Sequence, residues 1–135
     1  GYRAAMMIGD KDLIARILEV RKHAGMMVPL PVQKAMVAAL GDNQHVAEQR
    51  NRYNARKVKV RTAIEKHGFK IDHSEAGLYL WATRNLSDWE SVAWFADHGI
   101  LVTPGHFYGP KGAQHIRIAM TASDAQIDEL VKRLS

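Results

Sequence analysis

His115-Ile116-Arg117-Ile118-Ala119-Met120 alternates strictly, with a large apolar side chain at every second position. A strand repeats every two residues, so Ile116, Ile118 and Met120 share one face and His115, Arg117 and Ala119 the other. The apolar face must be the core. Arg117 therefore stands mid-strand on a face that is either solvent or a pocket. A guanidinium on a rigid strand suits two-pronged capture of a carboxylate or phosphate; an ordinary solvated arginine is the alternative.

Working outward, Thr121 or Ser123 caps a last helix with Ile127, Leu130, Val131 and Leu134 on one side. Upstream, Ile100 to Val102 reads as a buried strand, and Ser87-Asp88-Trp89-Glu90 is a capping box opening a helix that stops at Gly99. Phe69 and Ile71, then Leu78 and Leu80, read as short strands around the polar turn 72–75. Before Gly68 the period is helical: one long helix from Asn43 to His67 carries Val46, Tyr53, Val60 and Ile64 as a stripe. Asp10 caps a helix over 10–23, and Pro31 enters one over 31–41. Gly1 to Ile8 reads as a strand. Helices first, then strands mixed with helices, predict an α+β fold: a two-layer small domain, 43–135, with a short, mainly antiparallel sheet, preceded over 1–42 by a strand and two helices.

The 135 residues carry a formal charge of +5, are 47% hydrophobic and 24% charged, and include no cysteine. That composition excludes collagen-like, low-complexity and disordered classes. The longest apolar runs are far below the roughly twenty residues of a membrane span. Without cysteine there is no disulfide framework, thiolate zinc site or thiol nucleophile, which fits the cytoplasm. The start, Gly1-Tyr2-Arg3-Ala4-Ala5, has neither an initiator Met nor signal-peptide order, so the chain is expected to be cut from a longer protein.

Other candidates are fewer. The loop Pro104-Gly105-His106-Phe107-Tyr108-Gly109-Pro110 joins turn residues to two aromatics, of which Phe107 or Tyr108 suits the lining of a site. Arg3 is a possible anion holder. Arg50, Arg52, Arg56, Lys57, Lys59 and Arg61 form the densest positive stretch, but at helical spacing they spread around the helix, which favours a solvated face over a nucleic-acid-binding module. The seven histidines show no metal-ligand spacing, and no nucleophile triad or glycine-rich phosphate loop is present. No catalytic or metal-binding residue is assigned.

Taken in order, Gly1-Tyr2-Arg3-Ala4-Ala5, Pro29-Leu30-Pro31-Val32-Gln33, Ala76-Gly77-Leu78-Tyr79-Leu80-Trp81, Pro104-Gly105 and His115-Ile116-Arg117-Ile118-Ala119 resemble the C-terminal portion of fold-type I, pyridoxal-phosphate-dependent aminotransferases. Within that family, the run from Val20 to Pro29 looks like the actinobacterial N-succinyldiaminopimelate aminotransferases.

The resemblance implies roles that spacing alone does not give. Arg3, in the Gly-aromatic-Arg motif, would hold the phosphate of pyridoxal 5'-phosphate. Arg117 would bind the substrate α-carboxylate, with Tyr108 beside it. The Schiff-base lysine would lie a few residues before Gly1, so this chain alone is expected neither to bind the cofactor nor to transaminate. Residues 1–42 would belong to the edge of the cofactor-binding large domain and 43–135 to the small domain. The parent would move an amino group between N-succinyl-LL-2,6-diaminopimelate and 2-oxoglutarate in lysine biosynthesis, with aspartate-type or broad-specificity transfer as the alternative. Its partners would be amino acid and 2-oxo acid substrates and a second copy in a homodimer, with no nucleic acid or membrane. The apolar faces of 1–42 are expected to pair with another copy.

Overall fold

A computed structural model describes residues 3–135. Gly1 and Tyr2 lie outside the described residues. Five helices and four strands follow in the order α1 (Lys11–His23), α2 (Leu30–Leu40), α3 (Asn43–Glu65), β1 (Lys70–Asp72), β2 (Tyr79–Thr83), α4 (Asp88–Asp97), β3 (Thr103–Pro104), β4 (His115–Ala119) and α5 (Asp124–Arg133). Two compact units result, one up to Ala47 and one over Glu48–Ser135, divided within α3.

In the first unit Asp10 caps α1, its Oδ1 accepting from the amides of Asp12 and Leu13. Pro31 occupies the first turn of α2, where its missing N–H costs nothing. No residue of either helix is buried, and Met7, Leu13, Ile17, Val20 and Met26 line an apolar hollow with Arg16 and Arg21. The expected strand is not found over residues 3–8, because a strand needs a partner and the sheet's four strands pair only with one another.

The second unit is the two-layer α+β fold expected from the sequence. Its sheet is antiparallel throughout, in the order β1-β2-β4-β3. Leu80, Ala82, Ile116 and Ile118 point from one sheet face into a core completed by Val60, Ala63 and Ile64 of α3, Phe95 of α4, Ile127 of α5, and Phe69, Met120 and Leu134. Val60 and Ile64 are buried and Tyr53 packs at the edge, whereas Val46, on the same expected stripe, is exposed because it belongs to the other unit.

The expected strand at 100–102 is displaced to Thr103–Pro104. Gly99, with φ of +67°, and Ile100 close α4 in a C-terminal motif in which their amides bond to the carbonyls of Ala96 and Phe95. Ile100 is thus committed to the helix stop, and Leu101 is 95% exposed. Only Thr103 and Pro104 align with Arg117 and Ile116. Pro104 is tolerated because β3 is an edge strand. Ser123, not Thr121, caps α5.

Two contacts hold the loop between β3 and β4. Asp88 at the start of α4 is buried; its Oδ2 accepts from the His106 amide at 2.9 Å and from the ring Nδ1, and its Oδ1 accepts from the Trp89 amide. Burial pushes the Asp88 carboxyl up, but the hydrogen bonds from His106 outweigh it and hold the group below its ordinary value. Gly105 lies against Gly112 so closely that a Cβ there would overlap the carbonyl oxygens of Gly112 and His115 and press on the Trp81 ring. His106 thus anchors the loop that carries Tyr108.

Two outcomes check this fold by urea unfolding. Ile116→Ala should cost about 2–5 kcal/mol, as for a deleted core side chain, while Arg117→Ala next door should cost far less; equal costs would contradict the register. Because the carboxyl of Asp88 is depressed in the folded state, its stabilising contribution is present above the ordinary value of 3.8 and lost as pH falls through the lower folded value. Asp88→Asn should therefore flatten the acid limb of the stability curve below about pH 4. An unchanged limb would show that Asp88 gains nothing from His106.

Candidate functional site

The β2–β4 register decides which side chains meet on the sheet face away from the core. Tyr79 pairs with Ala119, Trp81 with Arg117 and Thr83 with His115, and β1 adds Asp72 opposite Trp81. Directly paired residues share a face, so Tyr79, Trp81, His115, Arg117 and Asp72 lie together. The loop after β3 brings Tyr108 to the same place. Arg117 thus lies at a cavity of about 450 Å³ also lined by His73, Ser74, Leu78, Tyr79, Trp81 and Tyr108.

Around the guanidinium, the Tyr79 ring centroid lies 4.2 Å and the Tyr108 centroid 5.0 Å from Cζ. Cation–π attraction from two rings holds a delocalised cation without consuming its N–H donors. Nε of Arg117 is buried and has no hydrogen-bond partner among the described residues. A buried N–H left unpaired costs about 1–3 kcal/mol, so an acceptor brought to Nε would be stabilised. A carboxylate supplies one in the matching planar geometry.

Trp81 is the floor. Its ring stacks on His115 at 5.0 Å and 8° and meets Tyr108 edge-on at 5.9 Å. His115 Nε2 faces Asp72 Oδ2 at 3.2 Å. Hydrogen bonds from His115 first, and Lys70 second, hold the Asp72 carboxyl below its usual range. The acid is thereby occupied at the far side of Trp81.

The sequence placed Arg117 on the face away from the core, and there it lies, with Tyr108 at its side. Phe107, the other candidate in that loop, is exposed and packs on Trp89 and His106 instead. Arg3 lies in the first unit, exposed, with a left-handed φ of 53°. Sequence reasoning missed Tyr79 and Trp81 as partners of the guanidinium; the alternation of Tyr79-Leu80-Trp81 was visible, but not the strand it would pair with.

Two alternatives lose force on the same geometry. The larger hollow beside α5, about 660 Å³, offers Arg133, but that side chain already donates to Glu129 and to the Gly99 carbonyl. Of the basic run on α3, Arg56 pairs with Asp124, Lys59 with Asp128, and Lys57 donates to backbone carbonyls. Half of the supposed nucleic-acid face is therefore engaged within its own unit. Among the described residues, no helix is long and apolar enough to cross a membrane, and no group of three acidic or histidine side chains could hold a metal ion.

The known proteins that this chain is similar to are aminotransferases. A probable aminotransferase of Mycobacterium tuberculosis, Rv1178, is 55% identical over all 135 residues, which span 32% of that protein. The 4-dedimethylamino-4-oxo-anhydrotetracycline transaminase OxyQ of Streptomyces rimosus is 56% identical over the whole chain and 38% of its own length. At 31% identity, an LL-diaminopimelate aminotransferase of Oleidesulfovibrio alaskensis matches the whole chain over 36% of that protein. The solved structure of MJ0684 from Methanococcus jannaschii shares the fold, with a TM-score of 0.83 and 20% identity over 94% of this chain and 35% of that one. The chain thus spans about a third of the length of the curated relatives it matches. The family model for aminotransferase class I and II matches residues 1–134, and the chain belongs to that family.

Proposed function

We propose that this chain is the C-terminal part of a pyridoxal-phosphate-dependent aminotransferase, with 43–135 as its small domain, 1–42 as the edge of its large domain, and Arg117 as the receptor for the substrate α-carboxylate. One observation carries the reading: a guanidinium flanked by two tyrosines, its buried Nε unpaired, at a cavity of carboxylate-compatible chemistry. Both substrates of an amino transfer present a carboxylate beside the reacting carbon, so one arginine serves the donor and the oxo acid in turn. Tyr79 and Tyr108 keep the fork in orientation, and Tyr108 lines the path to it.

Family membership implies pyridoxal 5'-phosphate in the parent enzyme. When bound, that group supplies the electron sink for labilising bonds at the substrate α-carbon. The donor chemistry of Arg3 fits the phosphate: it is exposed and pairs with no acid among the described residues. Arg3 would hold the phosphate, away from the reacting carbon.

For the substrates we favour N-succinyl-LL-2,6-diaminopimelate and 2-oxoglutarate, a reading supported by the resemblance over 20–29 and by the diaminopimelate relative. Broad specificity is the second reading, favoured by OxyQ, which is more similar and is named for a tetracycline intermediate. A cytoplasmic homodimer completes the proposal, the exposed apolar faces of α1 and α2 being its support.

In the full-length enzyme, Arg117→Lys should weaken both half-reactions by about 1.5–3 kcal/mol of transition-state binding, the scale of a hydrogen bond to a charged group. Stopped-flow rates of each half-reaction give the figure, and unchanged rates would leave Arg117 a plain strand arginine. Arg3→Ala should raise the cofactor dissociation constant measured by equilibrium dialysis, with substrate affinity at saturating cofactor little changed. Equal cofactor affinity in variant and wild type would remove Arg3 from the phosphate.

A further inference from the structure

The turn between β1 and β2 forms one wall of the Arg117 cavity, through His73, Ser74, Ala76, Gly77 and Leu78. Its backbone is unusual. His73 and Gly77 both have left-handed φ, +50° and +77°, and the former lacks the freedom glycine has there. Such a turn needs external support to keep one shape.

That support comes from α3. Lys57 Nζ donates to the Ala76 carbonyl oxygen at 3.0 Å and faces that of Ser74 at 3.4 Å. Its neighbour Arg56 donates to the Met120 carbonyl at 3.0 Å and to Asp124. Met120, just past β4, donates in turn from its amide to the Leu78 carbonyl at 2.8 Å. Consecutive cations of one helix therefore grip the turn and the end of the Arg117 strand, and a backbone bond joins the two. Ser74 fixes the turn's start by donating to the Asp72 carbonyl and accepting from the Trp81 amide.

Resting on the carboxylate reading above, we infer that Lys57 is a positioning residue: its ammonium holds the 74–78 wall against Arg117, so that the placement of α3 sets the affinity of the carboxylate site. Lys57 touches no substrate itself. Three donors on a flexible stem suit two converging carbonyls, and hydrogen bonds from a charged donor are the strong ones.

The test follows the Arg117 Nε–Hε resonance of the isotopically labelled full chain during titration with 2-oxoglutarate. In the wild type the resonance should shift saturably. Lys57→Met, which keeps the apolar stem, should weaken binding about tenfold, the scale of one lost charge-assisted hydrogen bond, and should speed amide exchange at 76–78. Lys57→Arg, which retains donors, should restore affinity to within about twofold of wild type. Affinity in Lys57→Met equal to wild type would overturn the role of Lys57 and leave the carboxylate reading intact. So would a loss that Lys57→Arg fails to restore although it unfolds at the wild-type urea midpoint. No shift in the wild type would overturn both.

Discussion

The antiparallel pairing of β2 with β4 governs the rest of the second unit. It sets Leu80 and Ala82 beside Ile118 and Ile116, which closes the core, and by the same alternation sets Trp81 opposite Arg117 with Tyr79 one diagonal away. Burial of one face and assembly of the other are a single event. A slip of one residue would put Arg117 into the core and expose Ile116 and Ile118, at a cost of about 1.5–3 kcal/mol for each apolar side chain besides that of a buried charge. Hydrophobic burial thus enforces the position of a polar site that it does not touch.

What alternation cannot supply is the surround. Tyr108 reaches the guanidinium only because a short, edge-strand β3 is followed by a loop held by Asp88 through His106 and pressed flat at Gly105. The opposite wall reaches it only because a turn with two left-handed residues is supported from α3. The core is apolar; the site's walls are held by polar contacts. Their energies are individually small, which is the usual condition of segments that adjust around a ligand.

The same division explains what could be read from the sequence. Strict alternation at 115–120, capping residues at Ser87 and the period change at Gly68 carry local physics, and the elements they announce are present. Misplaced elements fail for different reasons. Ile100 looked like strand, but its amide closes α4; residues 3–8 looked like strand, but pairing needs a second strand; Val46 matched the stripe of α3, but that helix serves two units. Arg117 was legible as facing away from the core, and Tyr108 as a loop aromatic. Tyr79, Trp81 and Lys57 were not, because their part depends on which strand pairs with which, and on carbonyls that no side-chain pattern announces.

The central claim is that the cavity beside Arg117 is a carboxylate receptor. A crystal structure of the full-length protein grown with 2-oxoglutarate tests it most directly. The account expects one carboxylate of the ligand on the Arg117 guanidinium, an oxygen within hydrogen-bond distance of Nε, with Tyr79 and Tyr108 still against the fork. A ligand bound elsewhere at full occupancy, with Arg117 contacted only by protein and solvent, would contradict it.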